Sequence, residues 1–128
     1  MASRFQLHSR DYLDTPERKR FYTAGVFNLI AREYDWVTRP LSLGRDRAWK
    51  RKLVAALPPV PAPRCVDLAA GTGHIARLLA QRYPAGRVVG LDLATAMLAR
   101  ARREVARANL AFVQGDMGRL PFATASAD

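Results

Sequence analysis

One stretch restricts this chain more than any other: Cys65-Val-Asp-Leu-Ala-Ala-Gly-Thr-Gly-His-Ile-Ala-Arg-Leu-Leu-Ala80. An apolar run carrying a single acid, Asp67, enters a turn at Gly71 and Gly73 and passes at once into a helical pattern. Glycine accepts positive φ and close backbone approach, so the turn can be tight. The helix that begins near Gly73 presents free N–H groups and its positive end to whatever lies at the turn. Two further apolar runs end in the same way, Arg87–Asp92 on Asp92 and Leu110–Asp116 on Asp116. The pattern predicts strands over 64–69, 87–92 and 110–114 and helices over 73–83 and 95–108, with Thr95 as the second helix's N-cap. That is the spacing of βαβ units around a parallel sheet. The expected fold class is α/β, the N-terminal half of a Rossmann-like doubly wound parallel sheet preceded by a helical region.

The first part of the chain reads differently. Residues 1 to about 20 are polar and charged. Thr15-Pro16-Glu17 is a helix start, with threonine as N-cap and proline in the first turn. Phe21, Val26, Phe27, Leu29, Ile30, Tyr34 and Val37 suit an amphipathic helix that Pro40 ends. A second helix is expected from Asp46 to about Leu57, with Trp49, Leu53 and Leu57 on one face. Pro58-Pro-Val-Pro-Ala-Pro63 is a stiff linker. The expected organisation is therefore a helical region over 1–57, a proline-rich linker over 58–63 and an α/β part over 64–128.

With 128 residues and 49% hydrophobic content, the chain has material for one small domain. No apolar run approaches the ~20 residues of a membrane helix, and the N-terminus lacks the apolar core of a signal peptide. A cytoplasmic location is the expectation. The single cysteine, Cys65, excludes an internal disulfide and reads as a buried, inert thiol. The formal net charge of +10 raises the question of nucleic acid. The arginines, however, are scattered over every segment. The one cluster, Arg100, Arg102, Arg103 and Arg107, fits the solvated face of a helix. Nucleic acid is not the expected substrate, while a basic surface is compatible with peripheral contact at an anionic membrane.

Three acids at three successive strand ends describe a pocket for a cationic, ribose-bearing cofactor, and S-adenosylmethionine fits that description. Gly71 and Gly73 would let the backbone approach it, and Asp67 would sit beside its ammonium group. Asp92, about twenty residues beyond the turn, is placed to accept from both ribose hydroxyls. Asp116 and Met117 would lie against the adenine. Met97 either pads the adenine face or belongs to the core. Gly71-Thr-Gly-His-Ile-Ala76 also fits the dinucleotide fingerprint, so a nicotinamide enzyme competes. Asp67 would repel a pyrophosphate, and Asp116 is an acid that the nicotinamide motif does not require. His8 and His74 read as ordinary polar residues, and no metal constellation exists.

These motifs resemble the class I S-adenosylmethionine-dependent methyltransferases, in the branch of ubiquinone/menaquinone biosynthesis C-methyltransferases. Asp67-Leu-Ala-Ala-Gly-Thr-Gly73, Gly90-Leu-Asp92 with Ala96-Met-Leu98, and Gln114-Gly-Asp116 with Leu120-Pro-Phe122 are similar to its three strand-end motifs. Val26-Phe-Asn-Leu-Ile-Ala-Arg-Glu-Tyr-Asp35, Leu41-Ser-Leu-Gly44 and Arg47-Ala-Trp-Lys50 resemble its more specific pre-domain segment. The resemblance implies cofactor contacts at Thr72, Asp92, Asp116 and Met117, a site shaped by Asp67, Gly71 and Gly73, and a helical lid containing Tyr34 and Asp35. It implies a small-molecule acceptor such as a quinone precursor. The family's later strands, which carry much of the substrate pocket, have no counterpart here, so no residue is assigned a catalytic role. A truncated, non-enzymatic chain, or a subunit that needs a partner, remains the alternative. The strand at 64–69 would lack one neighbour, and self-association through that edge is expected.

Overall fold

The computed structural model describes residues 15–31 and 45–128. Helix α1 runs over Pro16–Ile30 and α2 over Arg45–Ala55. Strand β1 (Arg64–Leu68), helix α3 (His74–Arg82), strand β2 (Arg87–Asp92), helix α4 (Thr95–Glu104) and strand β3 (Leu110–Gln114) follow. The expected extension of the first helix to Val37, its stop at Pro40, Tyr34, Asp35, Leu41–Gly44 and His8 lie outside the described residues.

The three strands are parallel in the order β1-β2-β3. Their register sets Asp67 beside Gly90 and Asp92 beside Gln114, so the acids gather at the carboxyl ends of the strands. Period-two alternation puts Cys65, Val88, Gly90, Leu110 and Phe112 on one face. Helices α3 and α4 cover it, and Val54 of α2 joins them. Ala76, Leu79, Val88, Leu98, Ala101 and Phe112 form the buried core there, each large side chain contributing roughly 1.5–3 kcal/mol by transfer. Two glycines make this packing possible. The ring of Phe112 fills the space above both, so a Cβ on Gly73 or on Gly90 would stand 2.6 Å from a ring carbon.

The ends of the elements follow local chemistry. Thr15 Oγ1 accepts from Arg18 N–H, as expected of an N-cap before a first-turn proline. At α4 the expectation fails. Ala94, not Thr95, is the N-cap, and it has no side chain to cap with. The bond comes from another element: Asn28 Oδ1 of α1 accepts from Ala96 N–H at 2.9 Å. Helix α4 also stops at Glu104, short of the expected Ala108, and Val105 N–H closes it on Ala101 O. Arg107 therefore lies beyond the helix. Arg100 and Arg102 are not simply solvated, since they donate to Ala31 O and Phe112 O.

Strand β1 is an edge of the sheet and its residues are only half-buried at best. Cys65 is accordingly half-buried rather than buried, with burial and then Asp128 pushing its thiol pKa up. The segment after β3 returns to this edge. Asp128 N–H donates to Arg64 O at 3.0 Å, and Arg64 N–H donates to Asp128 Oδ2 at 2.8 Å. The linker is anchored as well, with the Tyr83 hydroxyl donating to Pro58 O at 2.6 Å. Among the described residues, no helix is long and apolar enough to cross a membrane.

Candidate functional site

The first turn after β1 is built from left-handed backbone. Ala69, Gly71 and Gly73 have φ of 59°, 55° and 82°. The two glycines serve different purposes. A Cβ on Gly71 would meet nothing within 4 Å and would project into open space, so Gly71 keeps the turn free for a visitor. Gly73 is buried against Phe112 and Ala101, so its missing side chain serves packing.

Two of the three acids hold this turn in shape. Asp92 Oδ2 accepts from Gly71 N–H at 2.7 Å, and Oδ1 accepts from Ala94 N–H at 2.8 Å. One carboxylate thus fixes the glycine turn and the approach to α4 together. Each oxygen retains acceptor capacity for a further donor. Asp67 reaches the other way. Gly73 caps α3 without a side-chain bond, and Asp67 Oδ2 supplies it by accepting from Ala76 N–H at 3.0 Å. The Asp67 carboxyl is pushed up to about 6. Burial is the main cause; the Ala76 N–H opposes it, Asp92 adds to it and Lys50 opposes it.

Between α1 and the carboxyl ends of β2 and β3 lies a cavity of about 540 Å3, a volume typical of small-molecule sites. Gly71, Asp92, Asp116 and Met117 line it together. Asp67, Thr72 and Gly73 do not. Thr72 is buried, Gly73 is packed in the core, and Asp67 sits behind the turn that the cavity touches. Met97 resolves in both directions at once: it is 1% exposed and also lines the cavity floor. Asp116 is joined by its neighbours, with Gly118 N–H donating to Oδ1 at 2.8 Å.

The opposite wall belongs to α1, through Pro16, Lys19, Arg20, Thr23, Ala24 and Phe27. Sequence reasoning did not assign these to the site. The expected amphipathic character is not borne out over Pro16–Ile30: no residue of the helix is buried, and Phe21 and Leu29 are exposed. The donors and acceptors present suit a nucleoside with a cationic tail: carboxylates at two strand ends, an open glycine turn, and apolar walls at Leu91, Leu93 and Met97. No group of three or more His, Cys, Asp or Glu placed to hold a metal occurs among the described residues.

Comparison with known proteins identifies the family of the fold. Residues 65–128 match the family described as "Methyltransferase domain". The demethylmenaquinone methyltransferase of Beutenbergia cavernae is 47% identical over 105 residues, covering 82% of this chain and 42% of that protein. The enzyme of the same name from Thermus thermophilus is 44% identical over 100 residues, covering 76% and 45%. In the solved complex of a Haloferax volcanii methyltransferase activator with a methyltransferase, one chain superposes with a TM-score of 0.65. It is 28% identical, with coverage of 80% of this chain and 44% of that one. The chain spans about half the length of the curated relatives it matches.

Proposed function

The chain belongs to the class I S-adenosylmethionine-dependent methyltransferases, of the menaquinone/ubiquinone C-methyltransferase type, and we propose that its cavity is the cofactor site of such an enzyme. The observation that carries this is the convergence of Gly71, Asp92, Asp116 and Met117 on one wall of the space beneath α1. In this reading Asp92 accepts from the ribose hydroxyls with the capacity left after its two backbone bonds. Asp116 accepts from the adenine amine, with Met117 against the ring. Thr72 and Gly73 act from behind, by holding the turn, and Asp67 provides the negative field for the ammonium group. The bound cofactor supplies an electrophilic methyl group on a sulfonium. The protein's task is to hold that group in line with the acceptor and away from water. The proposed acceptor is a quinone precursor such as demethylmenaquinone, or a similar small molecule. Residues 1–57 would be the lid region, 58–63 the linker and 64–128 the cofactor half.

A second reading is favoured by the sheet itself. Strand β1 lies at an edge, and on the face away from α3 and α4 only Leu91 of the sheet's large apolar residues is buried, Val66, Leu68, Val89 and Val113 being half-buried or exposed, whereas parallel sheets are usually covered on both faces. The chain would then be a non-enzymatic form, or would need a partner chain or a second copy to act. The test is methyl transfer from labelled S-adenosylmethionine to a demethylated naphthoquinol. Label in the extracted quinol supports the enzyme. Cofactor binding without transfer supports the second reading. The absence of both binding and transfer in a folded chain would overturn the proposal.

A further inference from the structure

We propose that Arg20 is a positioning residue, which sets the Asp116–Gly118 turn for adenine from across the cavity. This rests on the cofactor reading above and goes beyond it, because nothing in the glycine-turn motifs points to α1. Arg20 Nη1 donates to Asp116 Oδ2 at 2.8 Å, a tie between residues 96 apart in sequence. The other carboxylate oxygen, Oδ1, accepts from Gly118 N–H at 2.8 Å, and Arg119 N–H donates to Asp116 O at 2.9 Å. The carboxylate is thus gripped on both oxygens and each keeps one acceptor site, which is what an exocyclic amine requires. The guanidinium also lies close over the turn. A Cβ on Gly118 would stand 3.0 Å from Arg20 Nη2. Gly118 therefore leaves the room that the arginine fork uses.

The position of Arg20 on its helix gives the tie a second effect. Asn28 and Ala31 fasten the far end of α1 to α4 through Ala96 N–H and Arg100. Arg20 lies eight residues before Asn28, about 12 Å along the helix, and joins the other end of the cavity wall to the adenine turn. The same helix therefore carries both ties, so the contacts that seat α1 on α4 also bear on the turn at Asp116. A ligand whose base donates to Asp116 would favour the state in which Arg20 also holds it.

The side chains of Arg20 and Asp116 are 43% and 25% exposed, so the coupling is modest and sensitive to salt. The experiment compares S-adenosylhomocysteine with its hypoxanthine analogue, which replaces the amine by a carbonyl, in the wild-type chain and in Arg20→Met. The expected result is roughly a threefold loss of S-adenosylhomocysteine affinity in the variant, with a smaller loss for the analogue, so that the adenine preference narrows. Arg20→Lys should recover part of the preference. Wild-type affinity should fall more steeply than that of the methionine variant as NaCl is raised from about 50 to about 500 mM. An unchanged preference and salt response in a folded Arg20→Met protein would overturn the inference and leave the cofactor reading intact. Absence of binding by the wild type would overturn both. If the methionine variant does not fold, the wild type decides: an adenine preference independent of salt contradicts the inference.

Discussion

Replacing Asp67 by asparagine separates its two roles, helix cap and buried charge. Asparagine keeps an oxygen for Ala76 N–H but cannot ionise. The Asp67 carboxyl rises from 3.8 to about 6 in the folded chain, so between those values the folded state binds more protons than the unfolded state. Stability from this group is fully present below pH ~4 and is lost as pH rises through ~6. At about 1.4 kcal/mol per unit, the ionised carboxyl costs at most about 3 kcal/mol. Partial solvent access reduces the expected value to about 1–2 kcal/mol. Urea unfolding of both proteins from pH ~3.5 to ~8 should show nearly equal stabilities at the acid end. The asparagine variant should gain its advantage as pH rises from ~4 to ~6 and keep it, unchanged, above pH ~6.5. The cofactor's ammonium group would offset the same penalty, so wild-type affinity for S-adenosylhomocysteine should rise with pH through ~6 and that of the variant should not. A stability difference that is flat in pH, or a wild type that is the more stable protein at pH 8, would refute the reasoning.

The two glycines of the turn should fail differently. Gly73→Ala places a methyl group 2.6 Å from the Phe112 ring at a φ of 82° and should lower stability by about 3 kcal/mol or more, read as a large drop in Tm. Gly71→Ala meets no neighbour, so it should cost only about 1 kcal/mol of backbone strain while its methyl group obstructs the cavity and weakens cofactor binding by calorimetry. Asn28→Ala removes the cap that α4 borrows from α1 and should cost about 1 kcal/mol, with faster amide exchange at Ala96.

The α/β part was readable because its signals are local. Apolar runs of five or six residues ending in acid, a glycine turn and a helical period fix β1, α3 and β2 to within about one residue of their observed ends. What could not be read depends on contacts across the sequence. Thr95 looks like an N-cap, but Asn28, 68 residues before the Ala96 N–H it accepts from, does the capping. Gly73 looks like a ligand-approach glycine, but its neighbour is Phe112, which only strand order brings to it. The acids illustrate the same limit. Their positions at the strand ends were visible, yet only the structure shows that Asp92 pins the turn, that Asp67 caps α3 from behind it, and that Asp116 pairs with a helix at the other end of the chain. The wall supplied by α1 was expected only as a helical lid region and not by its residues, because a helix that buries none of its own residues leaves little pattern to read.

The most direct test of the central claim is calorimetric titration of the 128-residue chain with S-adenosylhomocysteine. NADH is titrated in parallel, Asp92→Asn serves as the site variant, and circular dichroism confirms that both proteins are folded. The account predicts saturable binding of S-adenosylhomocysteine, strongly weakened in the variant, and none of NADH. A folded wild-type chain that ignores S-adenosylhomocysteine, or that binds NADH instead, would contradict it.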